Sequence, residues 1–434
     1  MIRAIDCQIM KVLLISPNTE TINMPSLPIG LGCVAAAVQG AGHEVTLLDL
    51  MSREDVAGAI TSAVEETAPE VIGISIRNID DQRMDAPRFL LGQAKEAVSV
   101  CRRVSDAPVV LGGAGYSIFP ESALLYLDAD MGIQGEGEDA FVALLVRIRQ
   151  KAALSDVPGL YLKGRGRLRE RRFNRDLDAL PMLPPSMMPL PDAARKGEYW
   201  LPFQTRRGCP LRCSYCSTPA IEGHRIRRRS PQRVVSELRQ WREAGFSRVY
   251  FVDNTFNMPP SYAEDLCHRM ADTDLGISWR AIIYPKNLSS SLAKAMKEAG
   301  CTDVSLGFES GSTDILRSMN KRFGIEDVRM ASHLLKEHGI GQMGFLLLGG
   351  PGETRDTVEE SLSFIDSLPL NAVKLTLGIR IYPNTPLAKR AVEEGRVAAG
   401  NDLLFPEFYM VEGLYPWLQE TIHTLITERP NWMY

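Results

Sequence analysis

The chain has 434 residues, 45% hydrophobic and 24% charged, with a formal net charge of −4. That balance is ordinary globular material with apolar residues for more than one core, and it excludes a disordered chain and a basic, nucleic-acid-binding field. Eight cysteines in this length are too sparse for a disulfide scaffold, and no apolar run approaches the roughly 20 residues that span a bilayer, so a cytoplasmic protein is expected.

In chain order, "KVLLISPN" from Lys11 to Asn18 reads as a strand and residues 26–42 as a helix stopped by Gly42. Strands follow at 43–50, 70–76 and 107–113, separated by helical patterns at 53–69 and 85–105. Residues 129–149 read as a short strand, a glycine turn "QGEGED" and a helix. Strands alternating with helices predict a parallel, doubly wound sheet that binds its ligand beyond the carboxyl ends of the strands. The loops there are "SPNTE" with Asn18, "RNIDD" with Arg77 and Asn78, "GGAGYS" from Gly112, and "QGEGED" with Gly135.

Residues 151–198 break the pattern. A basic stretch reads as a hairpin, and "LPMLPPSMMPLP" is too rich in proline to be a helix or a central strand. From Tyr199 a second series begins: strands at 200–208, 248–254, 278–284, 303–310, 342–350 and 372–383, with helices at 230–245, 260–272, 289–300, 325–339 and 356–367. Six such units predict a partial (β/α)6 barrel with its functional groups at the carboxyl ends of its strands. The expected division is therefore a Rossmann-like α/β domain over 9–150, a hairpin and linker over 151–198, a partial barrel over 199–385, and a small, mostly helical cap over 386–434. Phe405, Phe408, Tyr409, Tyr415 and Trp417 in the cap line a substrate cavity or form its own core.

One stretch demands chemistry. "QTRRGCPLRCSYCSTP" places Cys209, Cys213 and Cys216 within eight positions at the end of the first barrel strand. Three thiolates suit zinc or an iron–sulfur cluster. A structural zinc site is closed by four ligands, and His224 is the nearest fourth. A 4Fe–4S cluster held at three corners instead keeps one iron open to an exogenous ligand.

The C-x3-C-x2-C spacing, its place after the first strand and Tyr215 before the last cysteine resemble the radical S-adenosylmethionine (SAM) superfamily. The front segments "SLPIGLGCVAAAVQGAGHEVTLLDL", "VVLGGAGYSIFPES" and "GIQGEGEDAF" resemble the cobalamin-binding domain of its cobalamin-dependent members. The resemblance implies SAM bound to the open iron and contacted by residues at the strand ends. The positions are Tyr215, Arg229 (with Arg227), Asp253, Asn254, Glu309, Ser310, Gly349 and Ile381, with Glu353 as a structural acid. It implies cobalamin contacts from Asn18, Arg77, Asn78, Gly112, Gly113, Gly115, Tyr116, Gly135, Glu136 and Gly137.

The Asp-x-His-x-x-Gly motif by which many cobalamin proteins ligate cobalt is missing, since His43 has alanine two places earlier. Without an imidazole ligand the lower cobalt face is expected to be open or covered by a side chain from "RNIDD", with Arg77 and Asn78 the candidates, and such an uncoordinated face favours Co(I) and eases methyl transfer from Co(III). The family implies a methyltransferase acting on an unactivated carbon of a small or lipid-like metabolite through methylcobalamin and a 5′-deoxyadenosyl radical. The alternative is a cobalamin-dependent cyclase or ring-rearranging oxidase. An external electron donor such as flavodoxin or ferredoxin is implied, and no nucleic-acid partner. A tRNA methylthiotransferase is disfavoured because its front-domain cysteines are absent, and a non-enzymatic sensor because it needs no open iron.

Overall fold

In the computed structural model, described for residues 9–21, 25–51, 53–188 and 198–434, the chain forms two compact units. One lies within Met1–Asp81, Phe89–Leu190 and Ala220–Gly223, and the other within Gln82–Arg88, Pro191–Pro219 and His224–Tyr434. The hairpin after residue 150 thus belongs to the first unit, and the short stretch Gln82–Arg88 to the second. The tail of the proline-rich linker, 189–197, lies outside the described residues.

In the first unit, β1 (Lys11–Ser16), β2 (Glu44–Asp49), β3 (Val71–Ser75), β4 (Val109–Gly112) and β5 (Met131–Ile133) pair in parallel in the order β2-β1-β3-β4-β5. The antiparallel hairpin β6 (Leu160–Leu162) and β7 (Gly166–Arg167) extends the sheet. Strands buried on both faces need near-continuous apolar sequence, and β1 is buried from Val12 to Ser16. Helices α1 (Ile29–Gly40) and α2 (Glu138–Arg149) share one core with it, built on Leu14, Leu31, Val38, Phe141, Leu144 and Leu145. The strand order reverses between β1 and β3. Such a switch point splays the following loops apart and opens a crevice at the strand ends.

The second unit is one open sheet of seven parallel strands, in the order β8 (Leu201–Phe203), β11 (Arg248–Phe251), β12 (Ser278–Ile283), β13 (Cys301–Glu309), β14 (Gly341–Leu348), β15 (Ala372–Leu377) and β18 (Trp432–Met433). Six follow chain order, and β18, from the expected helical cap, adds a seventh beside β15. Short antiparallel pairs join β9 (Arg206–Arg207) to β10 (Arg227–Arg228) and β16 (Ile379–Arg380) to β17 (Phe408–Tyr409). The cap is thus partly strand, stitched onto the barrel at two places. Side chains alternate along β12, with Trp279, Ala281 and Ile283 fully buried while Arg280 and Ile282 are only half-buried. The helix at Pro231–Glu243 starts where Ser230 accepts a hydrogen bond from the Arg233 amide, and the helix at Arg355–Asp366 where Thr354 caps Thr357. No helix among the described residues is long and apolar enough to cross a membrane.

Candidate functional site

The cysteine loop leaves the carboxyl end of β8, and its geometry is fixed from three sides. Asp253, beyond β11, is fully buried. Its carboxylate accepts from the Thr205 amide at 2.8 Å, the Thr205 hydroxyl at 2.6 Å and the Arg206 amide at 3.1 Å. It also pairs with Arg206 Nε at 3.2 Å, and that guanidinium lies over the Tyr262 ring at 4.6 Å. Further along, the Ser214 amide donates to the Met319 carbonyl at 3.0 Å, and the Ser214 carbonyl accepts from the Leu387 amide at 2.9 Å. The Asn320 side chain donates to the Arg212 carbonyl.

The loop therefore presents its thiols from a braced backbone. Cys209 is buried, Cys213 and Cys216 are partly exposed, and all seven described cysteines are free thiols. Cys216 Sγ lies 3.3 Å from Thr218 Oγ1, which in turn reaches Asn254 Oδ1 at 3.4 Å. Burial pushes the Cys213 thiol up, and the Lys321 ammonium pulls it back.

Among the described residues no three His, Cys, Asp or Glu side chains converge as one metal ion requires, so the Cys3His zinc arrangement with His224 is not assembled. An iron–sulfur cluster spreads its thiolates over separate irons and needs no such convergence, so the soft donor set fits it.

Lys321, which the sequence reading passed over, stands beside the loop. Its side chain is only 6% exposed. It donates to Tyr215 Oη at 3.0 Å and to Glu309 Oε1 at 3.2 Å. Burial alone would lower the ammonium, but Glu309, then Tyr215 and Cys213, together hold it well above its usual range. Burial raises the Tyr215 phenol well above its usual range, and Glu309 adds to the rise. Glu309 ends β13 at φ +72°, where the register with β14 shifts. Such an irregularity re-aims a side chain beside a functional site.

Several expected SAM contacts prove to be occupied by the protein itself. The acceptors of Asp253 serve Thr205 and Arg206, so Asp253 braces the loop instead of offering an open carboxylate. The buried Ser310 hydroxyl bonds Ser361 at 3.0 Å and accepts from the Ser312 amide. Gly349 donates its amide to Glu353 and its carbonyl accepts from Val411, with Met410 lying over it where a side chain would project. The Ile381 amide donates to the Glu407 carbonyl, and its own carbonyl accepts from Arg380. Arg229 is 3% exposed, and its backbone bonds Thr205 and Tyr262. Tyr215, Asn254 and Glu309 remain at the loop, all partly exposed. Glu353 is structural, as expected: one carboxylate oxygen takes the Gly349 and Gly350 amides, the other has no partner, and burial raises its pKa to about 7. In the cap, Tyr409 is buried against Glu394 at 2.7 Å, while Phe405 is 57% exposed and so outside any cap core.

In the first unit the crevice residues also divide. Asn18, after β1, and Arg77 and Asn78, after β3, flank the switch point, and Gly112 ends β4 with no heavy atom nearer than 4.0 Å to where its Cβ would lie. Gly113 and Gly115 serve packing instead: a Cβ on Gly113, at φ +98°, would stand 2.5 Å from the Ile76 carbonyl oxygen, and one on Gly115 3.1 Å from that of Arg77. Tyr116 is fully buried with its ring against Gly132, so it belongs to the core. The 135–137 turn is covered by its own unit. Arg171 lies 3.4 Å from a Gly135 Cβ, Glu136 accepts from the Asn174 amide at 2.7 Å, and Val34 crowds Gly137. His43, whose Nδ1 accepts from the Met10 amide, sits at the amino end of the sheet, away from the crevice. The space over Gly112 and the polar side chains of Asn18, Arg77 and Asn78 after β1 and β3 are groups that could hold a cobalamin, with His43 not among them.

A family model for the B12 binding domain matches residues 15–145, and one for the radical SAM superfamily matches residues 204–365. An uncharacterized methyltransferase of Pyrococcus horikoshii is 28% identical over 89% of this chain and 84% of its own. The tryptophan 2-C-methyltransferase of Streptomyces laurentii is 24% identical over 88% of this chain and 74% of its own. The radical SAM methyltransferase TsrM from Kitasatospora setae, solved with cobalamin and a 4Fe–4S cluster, matches with a TM-score of 0.80 at 25% identity, over 88% of this chain and 74% of that one. It has also been solved with tryptophan and a SAM analogue.

The two matched segments define a class of protein, a B12-binding domain followed in one chain by a radical SAM domain. Within that class, the chain is similar over most of its length to methyltransferases, one of them a radical SAM enzyme solved with cobalamin and a cluster, and its cofactors are cobalamin, SAM and a 4Fe–4S cluster.

Proposed function

We propose that the protein methylates an unactivated carbon of a small metabolite. The observation that carries this reading is the braced loop of three free thiols at the first barrel strand, in a chain 88% of which matches a tryptophan 2-C-methyltransferase. When bound, the cluster and SAM supply a 5′-deoxyadenosyl radical, and cobalamin supplies a transferable methyl group.

The chain's residues bind and orient. Cys209, Cys213 and Cys216 would hold the cluster through three thiolates, leaving a position open to SAM. Glu309, Tyr215 and Asn254, half-buried around the loop, receive the amino-acid end of SAM; Glu309 suits its ammonium because Lys321 leaves the second carboxylate oxygen to another donor. Asn18, Asn78 and Gly112 would hold the cobalamin at the switch point, and Arg77 or Asn78 would stand in place of a histidine ligand. Arg77 is solvent-exposed at the end of β3, and the unit's histidine is at the far end of the sheet. A small substrate is supported by the tryptophan bound to the Kitasatospora enzyme.

The test is product analysis with anaerobically reconstituted protein, SAM, reductant and a panel of small aromatic and aliphatic metabolites. S-adenosylhomocysteine together with 5′-deoxyadenosine and a methylated compound supports the reading. Deoxyadenosine with substrate turnover and no S-adenosylhomocysteine favours the cyclase or oxidase.

A further inference from the structure

We propose that Lys321 is a positioning residue for the iron–sulfur site: its ammonium, fixed beside the cysteine loop between Tyr215 and Glu309, raises the reduction potential of the cluster. The inference rests on the reading that Cys209, Cys213 and Cys216 hold that cluster. It concerns a residue that makes no bond to iron.

Three consecutive residues grip the loop from one side. The Met319 carbonyl takes the Ser214 amide at 3.0 Å, the Asn320 side chain, at φ +57°, reaches the Arg212 carbonyl, and Lys321 Nζ donates to Tyr215 Oη at 3.0 Å. Cys213 lies between two of the gripped residues, so the backbone that sets the ammonium also sets that thiol. The ammonium stands 5.3 Å from the centre of the Tyr215 ring. Its side chain is 6% exposed and that of Glu309 18%. A charge shielded from water acts over a longer range than one at the surface. A cluster on three thiolates is anionic, and reduction adds one more negative charge. A fixed cation beside it therefore favours the reduced state, as net charge near a cluster does generally. Glu309 opposes that effect, so the pair gives a signed test.

The experiment uses the full chain, reconstituted anaerobically without SAM or substrate. Iron and sulfide content are measured first, and then the midpoint potential by EPR-monitored titration, for the wild type, K321M, K321R, E309Q and K321M/E309Q. In K321M the midpoint becomes more negative: at the wild-type midpoint the reduced-to-oxidised ratio falls by about tenfold, a shift of roughly 59 mV for one electron. K321R stays near the wild type, E309Q shifts positive, and the double variant returns toward the wild type. A contact that only holds the loop together changes cluster content and leaves the potential of the loaded fraction unmoved.

Unmoved midpoints in fully loaded K321M and E309Q overturn the proposal. If K321M does not hold a cluster, E309Q decides: a positive shift supports the proposal and an unmoved midpoint overturns it. A wild type that binds no iron overturns the cluster assignment itself, and this proposal with it.

Discussion

Asp253 shows how one side chain sets the geometry of a site without facing it. It is fully buried, and it ties Thr205 and Arg206, at the root of the cysteine loop, to the end of β11. D253A leaves the Arg206 guanidinium, 2% exposed, without its carboxylate. The expected loss is about 3–5 kcal/mol in the stability of the second unit. Urea unfolding of the unloaded protein, followed through tryptophan fluorescence, checks it, and an unchanged midpoint would refute the bracing role.

Glu353 gives a pH signature. Burial raises its carboxyl from 4.5 to about 7, against the pull of the Gly349 and Gly350 amides. The folded value exceeds the unfolded one, so its contribution to stability is complete below pH 4.5 and is lost as the pH rises through about 7. E353Q, neutral at every pH, keeps an oxygen for the two amides and removes that dependence. Its melting temperature should vary less between pH 5 and pH 8 than that of the wild type. Parallel curves would contradict the assignment.

The thiols were legible because three soft ligands in so short a span have few uses. Lys321 was not, because its partner Tyr215 is 106 residues away and only the folded chain joins them. Nor were the partners that Asp253, Ser310, Gly349 and Ile381 find within the chain. Sequence shows which residues carry polar groups at a strand end, but not which neighbours already satisfy them.

At the scale of elements, the contrast between Gly112 and Gly113 separates binding from folding. Gly113, at φ +98° and hard against the Ile76 carbonyl, admits no side chain, whereas the space above Gly112 is open. G113A should destabilise the first unit by more than about 1 kcal/mol, since a left-handed position and a close backbone both penalise it. G112V should fold normally and weaken cobalamin binding, read from titration of the apo chain by absorbance. Equal cobalamin affinity in G112V would move the crevice elsewhere.

The strand–helix alternation was legible because continuous apolar strands and capped helices carry strong local signals. The short pieces were not. Strand β18 has two residues, and the helix at Thr313–Ser318 six, too few for a period to emerge. The cap therefore read as helical, although Trp432 pairs with Val373 on the barrel edge.

At the scale of the whole molecule, each cofactor is assigned to a unit with its own sheet. The triple variant C209A/C213A/C216A should therefore lose its iron and still bind cobalamin, as elemental analysis and absorbance spectra would show. Loss of both would contradict that division.

The central claim, that these units act together as a methyltransferase, is tested without knowing the substrate. SAM labelled in its methyl group is incubated anaerobically with the reduced, cobalamin-loaded protein, and the label is followed. The account predicts label recovered with the bound cobalamin and an equal amount of S-adenosylhomocysteine. SAM cleaved to 5′-deoxyadenosine while the cobalamin stays unlabelled would contradict it.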